Sequence, residues 1–162
     1  SIANLIAEES IDDKWAVSYI DEDSVYAAVN GQVVHGDELR VRFFKNRCDT
    51  PNLLSFVYTI NQIDIEKLEG SYVTTNFMGN TVIVRVVAAV PFIAGHLVFV
   101  DMGWASIEQI DEILSRKNPI VIQYEDSDEI KITNYFDILH NSWSNDGMSD
   151  ALKRASRMCE QL

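Results

Sequence analysis

Short runs of β-branched and aromatic residues, separated by turn signals, recur along most of this 162-residue chain. Within several runs the larger apolar side chains alternate with smaller or polar ones, which is the pattern of a half-buried strand. The predicted strands cover residues 15–20, 24–29, 39–44, 53–60, 71–77, 81–90 and 96–100, followed by a hairpin with strands at 119–124 and 129–133. Short strands with frequent turns are typical of an antiparallel sandwich or barrel.

Two helices are predicted after these strands. Ser106 is expected to cap the first, over 107–115, and Gln109 would complete a capping box. The second, over 149–162, has apolar residues at helical spacing along one whole face. A short helical pattern also covers 2–9, and 135–143 fits a strand end, a short helix or an aromatic loop. The prediction is therefore α+β, mainly an antiparallel β-sandwich or barrel with two flanking helices, the last C-terminal, and residues 1–162 in a single domain.

The two cysteines bear on architecture and on cellular compartment. Cys48 lies in a predicted loop over 45–52, in which Pro51 acts as the breaker, and Cys159 lies on the apolar face of the last helix. They are either two buried thiols, as in many cytosolic domains, or a disulfide that would fasten the last helix to the sheet. We favour the disulfide, which would place the protein in an oxidising compartment.

The charge balance is strongly acidic, with 25 Asp and Glu against 13 Lys and Arg and a formal net charge of -12. Such a field repels phosphate backbones, so we expect no nucleic-acid binding through a broad basic surface. It favours a protein partner with a basic surface, or it serves solubility alone. No run approaches the roughly 18 apolar residues that a membrane-spanning helix requires. The chain begins at Ser1, which fits a processed N-terminus.

Two acidic clusters and two aromatic residues are the candidate partner-binding residues. The acidic clusters could also bind Ca²⁺, but the second lacks the spacing and the terminal Glu of an EF-hand loop, so no metal site is predicted. The alternative interpretation of the acidic residues is that they form solvated turns, and that of the aromatic residues is that they pack in the core. The candidates are Asp21, Glu22 and Asp23 in one turn, Glu125, Asp126, Asp128 and Glu129 in another, and Tyr135 and Trp143.

No motif indicates an enzyme. His35, His96 and His140 have no His, Cys or Glu at i, i+4 spacing in a helix, so a zinc site is not expected. The chain has no G-x-S-x-G nucleophile elbow, and its seven glycines occur singly rather than in a phosphate-binding loop. We therefore expect no catalytic residues and no cofactor, and a hydrolase is the least favoured class.

Four segments follow one another along the chain: the segment 15–18, the acidic turn 21–24, the strand 39–42 followed by Cys48, and the ending from Ala151 to Cys159. Together they resemble the VasI family, a group of small exported β-sandwich proteins associated with type VI secretion. The order of elements is similar over about two-thirds of the chain. The resemblance implies a bridge between Cys48 and Cys159 and transfers no catalytic residue.

The expectation for function is a non-catalytic binding or accessory protein, periplasmic or secreted, that contacts another protein through its acidic surface. The alternative is a cytoplasmic acidic inhibitor or decoy, for instance of phage origin, that occupies a basic site on a host enzyme.

Overall fold

The computed structural model describes residues 14–60 and 64–162, and the helical pattern predicted over 2–9 lies outside them. Nine antiparallel strands form one sheet in the order β1-β2-β3-β4-β7-β6-β5-β8-β9. The strands are β1 Ala16–Asp21, β2 Ser24–Val29, β3 Leu39–Phe44, β4 Arg47–Thr59, β5 Tyr72–Phe77, β6 Asn80–Phe92, β7 Gly95–Trp104, β8 Ile120–Glu125 and β9 His140–Trp143. The helices are α1 Ile107–Leu114 and α2 Met148–Glu160, and short 3-10 helices cover Ile65–Leu68 and Ile132–Asn134. The predicted α+β class, mainly antiparallel β with the last helix C-terminal, is confirmed.

The sheet has an inner face that holds the core and an outer face that meets solvent. In β3, for example, Leu39, Val41 and Phe43 are fully buried, whereas the residues between them are only partly covered. This alternation follows from the twofold repeat of side chains along a strand. The apolar members of each strand therefore collect on one side of the sheet.

The sheet curls until elements distant in its strand order meet across the core. The Trp15 indole nitrogen, just before β1, donates to the carbonyl oxygen of Ser144, just after β9, at 2.8 Å. The hydroxyls of Ser55 in β4 and Tyr124 in β8 lie 3.3 Å apart. Each contact satisfies a buried polar group that would otherwise lose its hydrogen bond to water. The two edges of the sheet are thereby brought close together.

Helix α2 covers the inner side of the first four strands. Its buried residues Met148, Ala151, Leu152 and Ala155 follow the predicted apolar stripe. Cys159, near the end of the helix, forms a disulfide with Cys48 in β4, with the two Cα atoms 5.7 Å apart. The predicted bridge is thus present, and it joins the end of α2 to the start of β4.

Helix α1 begins with the capping box that the sequence predicts. The Ser106 hydroxyl accepts the Gln109 backbone N–H at 3.2 Å, and the Gln109 side chain accepts the Ser106 N–H at 3.0 Å. Both bonds satisfy donors that the first turn of a helix leaves unpaired. None of the helices in the described ranges is long and apolar enough to cross a membrane.

The strand predicted over 129–133 is wrong. β8 pairs with β5 on one side and with β9 on the other, and the chain between β8 and β9 forms a loop that contains the second 3-10 helix. The Asp126 carboxylate holds this loop, because it accepts both the backbone N–H and the hydroxyl of Thr133 at 3.0 Å. A side chain that binds backbone groups in this way competes with strand pairing.

The loop predicted over 45–52 is also wrong, because β4 begins at Arg47. Phe44 pairs with Arg47 across a tight turn, in which Asn46 has a φ of 68°. Asn is among the few residues that tolerate this left-handed conformation. Pro51 lies where the register between β3 and β4 shifts, and this irregularity accommodates a residue without a backbone N–H.

Candidate functional site

Stacked aromatic and arginine side chains occupy the outer side of the central strands. The Arg40 guanidinium carbon lies 4.2 Å from the ring centroid of Tyr26 and 4.6 Å from that of Phe56. Phe56 contacts Phe99 with ring centroids 5.0 Å apart, and Tyr58 meets Phe92 edge-to-face at 6.3 Å. We call this surface the aromatic face and define it by six residues: Tyr26, Arg40, Phe56, Tyr58, Phe92 and Phe99.

Strand β6 extends the aromatic face with exposed apolar side chains. Phe92 is 45% exposed and Ile83 is 57% exposed, and Val87 and Val90 between them are also exposed. Val90 pairs with Leu97 and Phe92 with Gly95, so this row runs directly beside β7. The exposed Arg85 separates Ile83 from the other three, so the continuous part of the row runs from Val87 to Phe92. Exposed apolar surface of this kind often marks an interaction site.

A polar network fixes the centre of the outer face. Arg42 donates from Nη2 and Nε to the Asn52 side-chain oxygen at 2.6 and 3.0 Å, and Asn52 donates to the Asp101 carboxylate at 2.7 Å. Burial lowers the pKa of the Arg42 guanidinium, and the nearby Asp101 charge opposes that effect. The network crosses three strands and therefore restrains the side chains on either side of it.

A second aromatic–arginine group lies at the start of β4. The Arg47 guanidinium carbon is 4.0 Å from the Trp104 ring, and Phe44 lies 5.6 Å from the same ring. The other two arginines of this surface have acidic neighbours, because Glu38 pairs with Arg40 at 2.6 Å and Asp101 acts on the charge of Arg42. Two of these three arginines are therefore already balanced by carboxylates of the same chain.

The first acidic cluster predicted from the sequence lies in the turn between β1 and β2, and the second runs from the last residue of β8 into the loop that follows it. Asp21 holds the turn between β1 and β2, since its carboxylate accepts the Asp23 N–H and the Ser24 hydroxyl, both at 2.8 Å. The hydrogen bond from Asp23 is the main cause that lowers the pKa of Asp21. Asp126 plays a similar part after β8, through its bonds to Thr133. The other candidate acids are all exposed: Glu22, Asp23, Glu125, Asp128 and Glu129.

The two aromatic candidates have different surroundings. Trp143 is 1% exposed and donates its indole N–H to the Asp37 carbonyl oxygen at 2.7 Å, so its side chain belongs to the core. Tyr135 is half-buried, and its carbonyl oxygen accepts the Thr59 hydroxyl at 2.7 Å. The structure therefore leaves Trp143 no surface with which to contact a partner.

Asp37 is a buried titratable group. Its carboxylate accepts the Tyr58 backbone N–H at 2.8 Å, and burial raises its pKa to about 7. Burial likewise raises the pKa of Tyr124. Because both the carboxylate and the main chain of Asp37 bind neighbouring elements, this residue joins the loop before β3 to β4 and to β9.

Within residues 14–60 and 64–162, no three His, Cys, Asp or Glu side chains lie together as a metal site. The sequence patterns did not predict the aromatic face. Outward positions in β4, β6 and β7 carry aromatic residues in the sequence. These residues can be recognised as neighbours only once β4 is known to lie beside β7.

Comparisons with family models, with curated proteins and with solved structures gave no match for this chain.

Proposed function

We propose that this protein is a non-catalytic, exported accessory protein that binds another protein through its aromatic face. The observation that carries the proposal is the stacked set of aromatic and arginine side chains beside an exposed apolar row on β6. Aromatic residues and arginine are enriched at the energetic centres of protein interfaces. Here they stand on paired strands, so little conformational freedom remains to be lost on binding.

The charges indicate what kind of partner surface would fit. Arg40, Arg42 and Arg47 lie among the aromatic rings on the outer side of β3 and β4. Because Glu38 pairs with Arg40 and Asp101 acts on Arg42, a partner with a mainly apolar surface fits this arrangement better than a strongly charged one. This differs from the basic partner expected from net charge alone.

The disulfide supports the exported setting. Disulfides persist in oxidising compartments and are rare in the cytosol, so the Cys48–Cys159 bridge favours a periplasmic or secreted protein. The resemblance to the VasI family points to the same setting and to an accessory role. Mass measurement of alkylated, unreduced protein from the source cells tests this, because the bridge protects both thiols from alkylation. Two alkylated cysteines in such material would contradict export.

The binding surface is tested by recovering the partner from the source cells with a pair of matched variants. In the first variant, Ile83→Ser with Phe92→Ser removes two exposed apolar side chains from the aromatic face and its margin. In the control, Val33→Ser with Ile138→Ser removes two side chains of similar exposure (45% and 42%) elsewhere on the molecule. We expect at least about a tenfold loss of affinity in the first variant and little change in the control.

Charge reversal separates the proposal from the acidic-decoy alternative. Substituting Glu125, Asp128 and Glu129 by Lys changes three exposed carboxylates and leaves the Asp126 turn intact. The proposal predicts nearly unchanged affinity for this variant and a complex that persists as salt rises. A complex lost on charge reversal and weakened steeply by salt would instead identify the acidic surface as the contact.

A further inference from the structure

A pocket of about 260 Å³ opens between α1 and one end of the inner face of the sheet. Apolar side chains from β4 to β7 and from α1 form most of its lining, including Leu53, Phe77, Val82, Met102, Ile110 and Leu114. Trp104 and Ile113 also line it and are both partly exposed, so they lie toward solvent. The pocket is distinct from the aromatic face and is not needed for the function proposed above.

The size of the pocket limits the class of ligand. An apolar cavity of about 150 Å³ is large enough to bind benzene, and typical small-molecule pockets begin near 300 Å³. A volume of about 260 Å³ therefore suits a single hydrocarbon chain of medium length or one substituted ring. The sulfur-containing side chains of Met78 and Met102 line it and can adapt to an irregular chain.

The charge at the pocket indicates the polar end of the ligand. Arg116 is the one charged residue of the lining, and none of the acidic residues in the described parts of the chain lines it. Glu112 binds the Arg116 guanidinium with both carboxylate oxygens, through Nε at 3.0 Å and through Nη2 at 2.7 and 3.0 Å, and the Nη1 amino group takes no part in that pair. The Asn80 side chain provides a second polar group in the lining.

We propose that this pocket binds a medium-chain monocarboxylate, with the hydrocarbon chain among the apolar side chains and the carboxylate at Arg116. Burial of the chain supplies most of the affinity, because it removes apolar surface from water. The ligand carboxylate would share Arg116 with Glu112 and accept a charge-assisted hydrogen bond from the Nη1 amino group. Asn80 can donate a further hydrogen bond from its amide.

The four methionines allow a direct test by NMR with ¹³C-labelled methionine methyl groups. Met78 and Met102 line the pocket, whereas Met148 and Met158 belong to α2. Titration with octanoate should shift the first two signals saturably and leave the second two in place. No saturable shift of Met78 and Met102 at millimolar octanoate, or equal shifts at all four methionines, would overturn the proposal.

Variants test the carboxylate and the location separately. Arg116→Gln should weaken octanoate binding about tenfold and leave binding of the neutral probe octan-1-ol unchanged. The control variant Arg157→Gln, on α2, should change the binding of neither probe. Ala105→Phe should fill the pocket and abolish binding of both probes, with unchanged Met148 and Met158 signals as evidence of folding. Octanoate binding that is indifferent to Arg116→Gln, or that survives Ala105→Phe, would contradict the assignment.

Discussion

At the scale of single residues, Asp37 couples stability to pH. The side chain is 5% exposed, and burial raises its pKa to about 7 from an ordinary value of 3.8. Between these two values the folded protein holds a proton that the unfolded chain has released. The free energy of unfolding therefore falls as pH rises from about 4 to about 7, and it levels off above that range. The lowered pKa of Asp21 has the opposite consequence, because ionised Asp21 stabilises the folded protein. This stabilisation is lost only as the pH falls below the ordinary pKa of an aspartate.

We expect Asp37→Asn to flatten this dependence. The amide oxygen can still accept the Tyr58 N–H, but the side chain no longer ionises in a buried site. Urea unfolding should show that wild-type protein is less stable at pH 8 than at pH 5, by on the order of a few kcal/mol. The variant should show a much smaller loss. Asp128→Asn, at an exposed position, is the control and should resemble wild type. An equal loss in the Asp37 variant would show that another group causes it.

Gly31 and Gly36 lie in the same connection and offer a second comparison between single residues. A Cβ atom at Gly31 would overlap the Val34 carbonyl oxygen and the Asn141 side-chain amide, whereas at Gly36 it would meet nothing within 4 Å. The Asn141 amide also holds this loop, because its oxygen accepts the Val33 N–H at 3.1 Å. The Gly31 site therefore has no room for a side chain.

We expect Gly31→Ala to destabilise the protein by about 2 kcal/mol or more, because the loop must move and lose its bonds to β9. Gly36→Ala should stay within about 0.5 kcal/mol of wild type or gain slightly from a less flexible unfolded chain. Thermal unfolding of the two variants side by side is the measurement. Similar melting temperatures would mean that the loop relaxes at little cost.

At the scale of elements, the disulfide determines how firmly α2 is attached. It closes a loop with a sequence separation of 111, and α2 contacts β1 to β4 beneath it. On the chain-entropy model a crosslink over a loop of this length stabilises the fold by up to about 4–5 kcal/mol. The apolar stripe of α2 adds a contribution of its own, since its core residues are nearly all buried.

We expect the double variant Cys48→Ala with Cys159→Ala to lose about 2–5 kcal/mol of unfolding free energy while retaining its helix content. Reduced wild-type protein is the matched control and should lose a similar amount. Urea midpoints for oxidised, reduced and doubly substituted protein give the comparison. Equal midpoints for all three would show that packing alone holds the helix in place.

At the scale of the whole molecule, strand order decides which side chains become neighbours. Phe56 and Phe99 are far apart in the chain, yet they pair directly because β4 lies beside β7. The same curling of the sheet brings Asp37 to Trp143, and it carries Trp15 to Ser144. The aromatic face and the pocket beneath α1 are therefore products of assembly, as each draws its residues from at least four elements.

The sequence by itself determined the features that depend on periodicity within one element. The alternation in β3, the apolar stripe of α2 and the capping box at Ser106 all appear as predicted. These patterns are readable because burial repeats at the period of the element that carries it. The cysteine positions were likewise enough to favour a bridge, because one followed a strand and the other lay on a buried helix face.

The tertiary structure alone decided which segments pair. It placed β8 between β5 and β9, buried Trp143 in the core, and put the loop held by Asp126 where a strand was predicted. The acidic turn at 21–23 could be located from sequence, whereas the aromatic face could not, and the hairpin turn predicted at 125–128 was wrong. The physical reason is that pairing two distant strands costs loop-closure entropy, which packing throughout the core must offset. A pattern within one segment of the sequence contains no information about that balance.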